Sequence, residues 1–462
     1  MRTRIAWLAA AVGAALAVAW RLPFLHAPLT ADEGGYAEVA RLWSRSWTLY
    51  GSAWVDRPQG LVLTYRGALA AGLGSTAGLR AVAAGIAAAT VVVVFLLARR
   101  LAGPGAAVAA ALLLATLGAS PWIESFTLEG ELIAALPAAA AVLAFCKFAE
   151  RRRLPWLVAA GMLAGAAPMV KQSAVDAFLA IAAVLVWTRA WRSLAVFAAA
   201  ACVPVAAAAL SAMDPSAWWF AVVRYRAAGT SLFVGSPAAH ATAFVDSLPA
   251  AARALGPLVL LAALGVRGSP RLVRLWLAGA VVGVLGGGAF HPHYYVQLAP
   301  PLAVLAGIGA ARLRAGHRSV LVAAVGTAAV AVTVPLWFDS PSAQARAIWP
   351  QDTHLLEDAA VARYVDEHTS RTQRALVLWA AADVYYLADR APVLRYLWFS
   401  NLRDVSGALA DVRHLLATRR AAVVAVEQPL RLLDRGGDRR ILHADYRRVA
   451  IVDGVPLYRP IP

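Results

Sequence analysis

The chain is short of charge, cysteine and lysine. Only 15% of its 462 residues are charged, against 61% hydrophobic, whereas a soluble globular protein averages roughly 25% charged and 45–50% apolar. That deficit excludes an ordinary cytosolic enzyme. Cys146 and Cys202 are the only cysteines and both fall inside apolar runs, so no disulfide framework holds the fold. Lys147 and Lys171 are the only lysines. The preference for arginine, together with the abundant alanine, reads as the mark of a GC-rich genome. No internal repeat or low-complexity linker stands out beyond the alanine bias.

What the chain has instead is apolar length. At roughly 100–200 residues per domain, 462 residues would make three soluble domains, but Ala/Val/Leu runs fill most of it and the mean hydropathy is +0.63. The net charge of +17 and pI near 10.7 would suggest nucleic acid in a soluble protein. Here the basic residues punctuate apolar runs, as at Arg99-Arg100, Arg151-Arg152-Arg153 and Arg312-Leu313-Arg314. They signal topology: the partner is the lipid bilayer, and no nucleic acid is expected. The start, Met1 to Arg4 followed by the apolar run Ile5 to Trp20, is too long for a signal peptide and lacks a convincing cleavage site, so it reads as a retained first helix.

A bilayer core of about 30 Å needs roughly 20 apolar residues per helix. About eleven helices meet that criterion, near 5–22, 79–98, 104–120, 131–148, 155–170, 173–188, 193–211, 254–266, 272–290, 294–311 and 319–337. Arg and Lys are enriched in short cytoplasmic loops. With a cytoplasmic N-terminus, the inner loops are 99–103, 149–154, 189–192, 267–271 and 312–318, and each bears arginine. The outer segments then include a long first loop, 23–78, and 212–253, which holds Trp218-Trp219 and His240. An odd helix count leaves the tail outside. The expected fold is therefore a polytopic α-helical membrane protein of the cell membrane, residues 1–337, with a small extracytoplasmic α/β domain at 338–462. Strand-like runs at 374–379 and 421–426 and helical patterns at 355–367 and 402–417 define that domain.

The chemistry gathers at the outer face. Asp32 and Glu33 stand side by side just after the first span, a costly position unless they face water or a partner. The plainer reading is a helix cap, with Thr30 or Asp32 preceding the amphipathic stretch Tyr36 to Trp47; both readings stand. Glu124, Glu129 and Glu131 form a second acid group at the outer end of the third and fourth spans, able to share a polar substrate with Asp32 or merely to be solvated. Lys171 lies at the outer face, where a cation is disfavoured: it binds phosphate there, or it snorkels. His291-Pro292-His293-Tyr294-Tyr295 suits an aromatic belt. Pro292 between the histidines, with no matching Cys or His nearby, argues against a metal site, so neither metal nor other cofactor is expected.

Together these pieces resemble the polytopic C-superfamily glycosyltransferases, in the branch of the protein O-mannosyltransferases and the lipid A aminoarabinose transferase. Asp32-Glu33-Gly34-Gly35-Tyr36 is similar to the family's first-loop motif. Tyr50 and Asp56-Arg57-Pro58-Gln59 match its Lys-Pro-Pro motif with Arg57 for Lys and Gln59 for the second Pro. Glu131 opening the fourth helix, Lys171-Gln172, His293-Tyr294-Tyr295 and the tail residues Leu376 to Trp379, Asp383 to Leu387 and Arg390 to Pro392 continue the likeness in order along nearly the whole chain. The resemblance implies an inverting transfer of a sugar from a polyprenyl-phosphate-linked donor to a hydroxyl on a protein, lipid or cell-wall glycan acceptor. It implies catalytic roles for Asp32, Glu33 and Glu131, with Asp32 as base. It implies substrate binding by Tyr36, Tyr50, Arg57, Lys171, His293, Tyr294 and Tyr295. The rival class is a secondary transporter, which places ionisable residues near the midplane and shows repeated halves. A third reading is a non-catalytic scaffold that displays its tail.

Overall fold

Helix covers all or most of each of the eleven apolar segments, but they are not eleven equal spans. The computed structural model describes residues 2–462 apart from 45, 228–235, 314, 353, 380 and 435; Arg314 of the inner loop 312–318 and part of the outer segment 212–253 thus lie outside the described residues. Among those described, seven helices are long and apolar enough to cross a membrane, while Leu154–Ala166 and Asp176–Trp187 are shorter apolar helices. Arg271–Gly287 is also short, at 17 residues. The longest element, Thr76–Thr116, holds two of the expected segments. At Gly103 the backbone takes φ 83° and ψ −175°, and Pro104 follows. Glycine accepts that positive φ and proline cannot extend the preceding helix, so the chain turns there.

Two of the arginine-bearing loops meet at one end of the bundle. Arg100 Nε is 2.7 Å from Glu150 Oε1, and Lys147 lies over the Trp156 ring. The first outer segment, 23–78, is not a loop but a pair of packed helices, Ala31–Leu42 and Gln59–Ala70. The first of these starts with a capping box: Thr30 Oγ1 accepts from the Glu33 N–H, and the Glu33 carboxylate accepts from the Thr30 N–H.

The C-terminal α/β region carries a four-stranded sheet in the order β1-β2-β4-β3, with β1 Ala375–Leu378, β2 Val423–Val426, β3 Tyr446–Val452 and β4 Val455–Pro460. β1 and β2 are parallel, and β4 joins antiparallel to both β2 and β3. The sequence pattern locates the two buried parallel strands but not the β3–β4 hairpin, whose turn is Asp453-Gly454, both at positive φ. An Asp-Gly pair is a strong hairpin signal; here the adjacent Arg447-Arg448 and the prolines Pro456 and Pro460 break the apolar alternation of the flanking strands. The expected helix 402–417 is divided into Phe399–Asp404 and Ala408–Ala417, separated at Gly407, φ 86°.

This region packs directly on the first outer helix. Helix Ala382–Leu387 lies against Ala31–Leu42, and an added Cβ at Gly34 would stand 2.3 Å from the Asp383 Cβ. At Gly35 it would stand 2.4 Å from the Trp398 ring. Two successive glycines let the two backbones approach where any side chain would hold them apart.

Candidate active site

Asp32 sits in the first turn of Ala31–Leu42, half-buried. Its carboxylate accepts from Tyr36 Oη at 3.2 Å, one helical turn on. It also accepts from Trp398 Nε1 at 2.8 Å, from the C-terminal region. Burial by itself would raise the Asp32 carboxyl, but the charges of Arg57, His293, Lys171 and His291 hold it below the usual carboxylate range. Asp32 is therefore an oriented, ionised carboxylate facing cations.

Glu33, its neighbour in sequence, points elsewhere. Both oxygens are taken by Arg80, Nε to Oε1 at 2.7 Å and Nη2 to Oε2 at 2.6 Å. The Leu128 N–H donates to Oε1 at 2.9 Å. Glu33 and Arg80 are 0% and 1% exposed in their side chains, so this is a sealed bidentate pair that ties the first outer helix to Thr76–Thr116 and to the 120–129 segment. Of the two caps considered, Thr30 is the N-cap and Glu33 closes the capping box, while Asp32 lies beside Arg57, Lys171 and His293.

Around Asp32 the fold collects residues from five places in the chain. Arg57 lies over the Tyr36 ring, 5.9 Å from its centroid, with Nη1 3.3 Å from Asp56 Oδ2. Asp56 also pairs with Arg226. Lys171 Nζ is 2.8 Å from Glu131 Oε1 and 4.5 Å above the Tyr294 ring. Burial would lower the Lys171 ammonium, but Glu131 beside it keeps it above the ordinary lysine range. His293 Nδ1 is 2.9 Å from Glu124 Oε2.

Tyr50 and Tyr295, expected to contact substrate, each make an internal hydrogen bond. Tyr50 Oη donates to the Arg57 carbonyl at 3.2 Å and so supports the backbone of the turn. Tyr295 Oη is bonded to Ser247 Oγ at 2.5 Å. Gln59, which stands where the family motif has proline, donates to the Ala208 carbonyl at 2.9 Å and accepts from Trp218 Nε1 at 3.0 Å. It staples the Arg57 turn to the C-terminal end of Trp191–Ser211, a job proline has no side-chain polar atom to do.

Glu129, noted in the sequence only as one of an acid group, is a member of the site. One donor atom each from Asp32, Glu129 and His293 lies within 4.8 Å of the other two. Burial first, then Asp32 and other neighbouring carboxylates, pushes Glu129 well above the usual carboxylate range. Nitrogen and oxygen donors of this kind suit zinc or manganese. In sequence the nearest possible co-ligand of His293 is His291; the fold pairs His293 with acids from two other segments. Arg80 and Trp398 carried no local signal at all, since each acquires its role through a contact made across the fold.

Beside the acids a cavity of about 550 Å³ opens between helices. Arg57, Lys171, Gln172, Ser173, Arg226 and Tyr294 supply its polar lining. Val175, Val205, Trp218, Val222, Val282 and the glycines Gly283, Gly286 and Gly287 make the rest largely apolar. A cavity lined by cations together with apolar side chains fits an amphiphile with an anionic head.

A family model described as dolichyl-phosphate-mannose-protein mannosyltransferase matches residues 60–219. No curated protein sequence matches the chain. Among solved structures, ArnT from Cupriavidus metallidurans, bound to undecaprenyl phosphate, superposes with a TM-score of 0.64 at 15% identity, covering 99% of this chain and 98% of that one. The Archaeoglobus fulgidus oligosaccharyltransferase complex with Zn and sulfate superposes with a TM-score of 0.57 at 15% identity, over 90% of this chain and 67% of that one. The same archaeal enzyme, AglB, in complex with an inhibitory peptide and a dolichol-phosphate gives 0.54 at 13% identity, over 91% and 69%. The fold is shared with ArnT and with the archaeal oligosaccharyltransferase. In particular, it matches ArnT over nearly the full length of both chains.

Proposed function

We propose that this chain is an integral membrane glycosyltransferase that moves a sugar from a polyprenyl-phosphate donor to a hydroxyl acceptor at the extracytoplasmic face, with inversion at the anomeric carbon. The observation that carries the reading is ionised Asp32 held close to Arg57 and Lys171, two cations that line a cavity whose walls are otherwise largely apolar. The polyprenyl chain lies along those walls and its phosphate meets the two cations. ArnT, which the chain resembles in fold, is bound to undecaprenyl phosphate, and this supports a polyprenyl phosphate as the ligand class.

In the reaction, the acceptor hydroxyl gives its proton to Asp32 as its oxygen bonds to the anomeric carbon. The bond from that carbon to the phosphate oxygen breaks, and polyprenyl phosphate leaves as an anion. Such a leaving group needs no general acid, so a single base suffices. Arg57 and Lys171 are fixed where negative charge grows, which stabilises the transition state more than the ground state. Trp398 and Tyr36 hold the Asp32 carboxylate in aim. The 1–337 portion is the transferase unit, and the 338–462 domain covers the site from outside.

The test is transfer in proteoliposomes from a polyprenyl-phospho-sugar, with wild type and Asp32→Asn. Loss of a positioned base costs roughly 10²–10⁴-fold, so the variant should lose at least a hundredfold in rate with an unchanged unfolding temperature. Wild-type rates in that variant would overturn the assignment of the base. Mass spectrometry of lipids from cells lacking the protein names the sugar, through the polyprenyl-phospho-sugar that accumulates.

A further inference from the structure

The C-terminal region holds a second group of titratable side chains that glycosyl transfer leaves unused. Glu427 follows β2 directly, and Asp383 lies in the first turn of Ala382–Leu387, after β1. Both therefore stand at the carboxyl ends of the parallel strand pair, the place where open α/β sheets receive ligands. His354, Glu357 and Asp358 reach the same place from the start of Leu355–His368. His354 Nδ1 lies 3.0 Å from Glu357 Oε2 and 3.9 Å from Glu427 Oε2. One donor atom from each of His354, Glu357 and Glu427 lies within 4.8 Å of the other two.

Glu427 supplies the second observation. Its side chain is 2% exposed, and neither carboxylate oxygen has a hydrogen-bond partner. Asp383 is fully buried and hydrogen-bonded to Asp358, itself buried with one oxygen that has no partner. Among the described residues no Arg or Lys forms an ion pair with any of these four acids. Buried polar atoms are nearly always partnered, and buried charges pair or coordinate a cation. The imidazole of His354 is partly exposed, which leaves a path from solvent into the group.

We propose that His354, Glu357 and Glu427 bind a divalent transition-metal cation, with zinc the ion that one imidazole and two carboxylates suit best. Three protein ligands leave a position for water in a four-coordinate site. Asp358 and Asp383 lie in the shell behind the ligands and orient them. The ion fastens the start of Leu355–His368 to the end of β2, beside the Asp383 backbone that meets Gly34. It thereby rigidifies the surface that holds the Ala31–Leu42 helix and Asp32.

The experiment uses full-length protein in detergent, stripped with EDTA, in a His293→Ala background so that the Asp32, Glu129 and His293 trio does not contribute. Equilibrium dialysis against zinc chloride, with metal counted by mass spectrometry, should give one zinc per chain and a raised unfolding temperature. Glu427→Gln should weaken zinc binding at least tenfold. Because that change lies in a buried position, Glu357→Gln, on a partly exposed side chain, is the deciding variant and should do the same while keeping the parent's circular dichroism. Absence of zinc uptake by the parent, or equal affinity in folded Glu357→Gln protein, would overturn the site.

Discussion

Trp398 donates its indole N–H to the Asp32 carboxylate across 2.8 Å, although 366 residues separate the two in sequence. The same ring packs on Tyr36, centroids 5.4 Å apart, and occupies the space that Gly35 leaves open. The tail thus helps to aim the candidate base. Trp398→Phe keeps most of the ring volume and removes the donor. A hydrogen bond to a charged group contributes about 1.5–3 kcal/mol, so kcat should fall roughly tenfold or more with KM for the lipid donor little changed. A loss confined to KM would show that Trp398 acts on binding instead.

The Glu33–Arg80 pair predicts a stability effect. Removing one partner of a buried ion pair costs roughly 3–5 kcal/mol, because the other charge is left without compensation. Arg80→Met should lower the unfolding temperature sharply, and Glu33→Gln with Arg80→Met should recover part of the loss. Thermal unfolding of the single and double variants measures this, and equal losses in both would contradict the pairing.

Lys171 is assigned to the donor phosphate. Lys171→Met should raise KM for a polyprenyl-phospho-sugar roughly 10–100-fold, the worth of a charge-assisted hydrogen bond, and Lys171→Arg should retain part of the binding. Since Lys171→Met strands Glu131, the companion Lys171→Met with Glu131→Gln separates folding from affinity. Steady-state kinetics at varied donor concentration reads the outcome, and an unchanged KM in the folded double variant would remove Lys171 from the phosphate site.

A pH dependence follows from Glu38, whose side chain is 0% exposed and 2.5 Å from Arg41. Burial pushes its carboxyl up to about 7, against the pull of Arg41. A folded value above the ordinary 4.5 means that the folded state holds the proton more tightly. That stabilisation is full below pH about 4.5 and is lost as pH rises through about 7. The wild-type unfolding temperature should therefore fall by a few degrees between pH 5 and 8 relative to Glu38→Gln. Scanning fluorimetry across that range checks it, and parallel curves for the two proteins would refute it.

By itself the sequence determined the membrane class, the helical segments and a short list of polar residues between them. Apolar length and arginine placement are properties of the linear chain, set by the thickness and charge asymmetry of a bilayer. The parallel strands β1 and β2 were legible for a similar reason, because a strand buried on both faces reads as a continuous apolar run. The tertiary structure decided the roles within the list. Asp32 and Glu33 are adjacent in sequence, but consecutive residues on a helix point about 100° apart, so one meets the site and the other meets Arg80. Likewise Glu129, Trp398 and Arg80 gain their partners from contacts 47 to 366 residues away in the chain. Composition specifies the solvent a chain must match; which carboxylate is paired and which is left facing a cavity depends on packing across the whole fold.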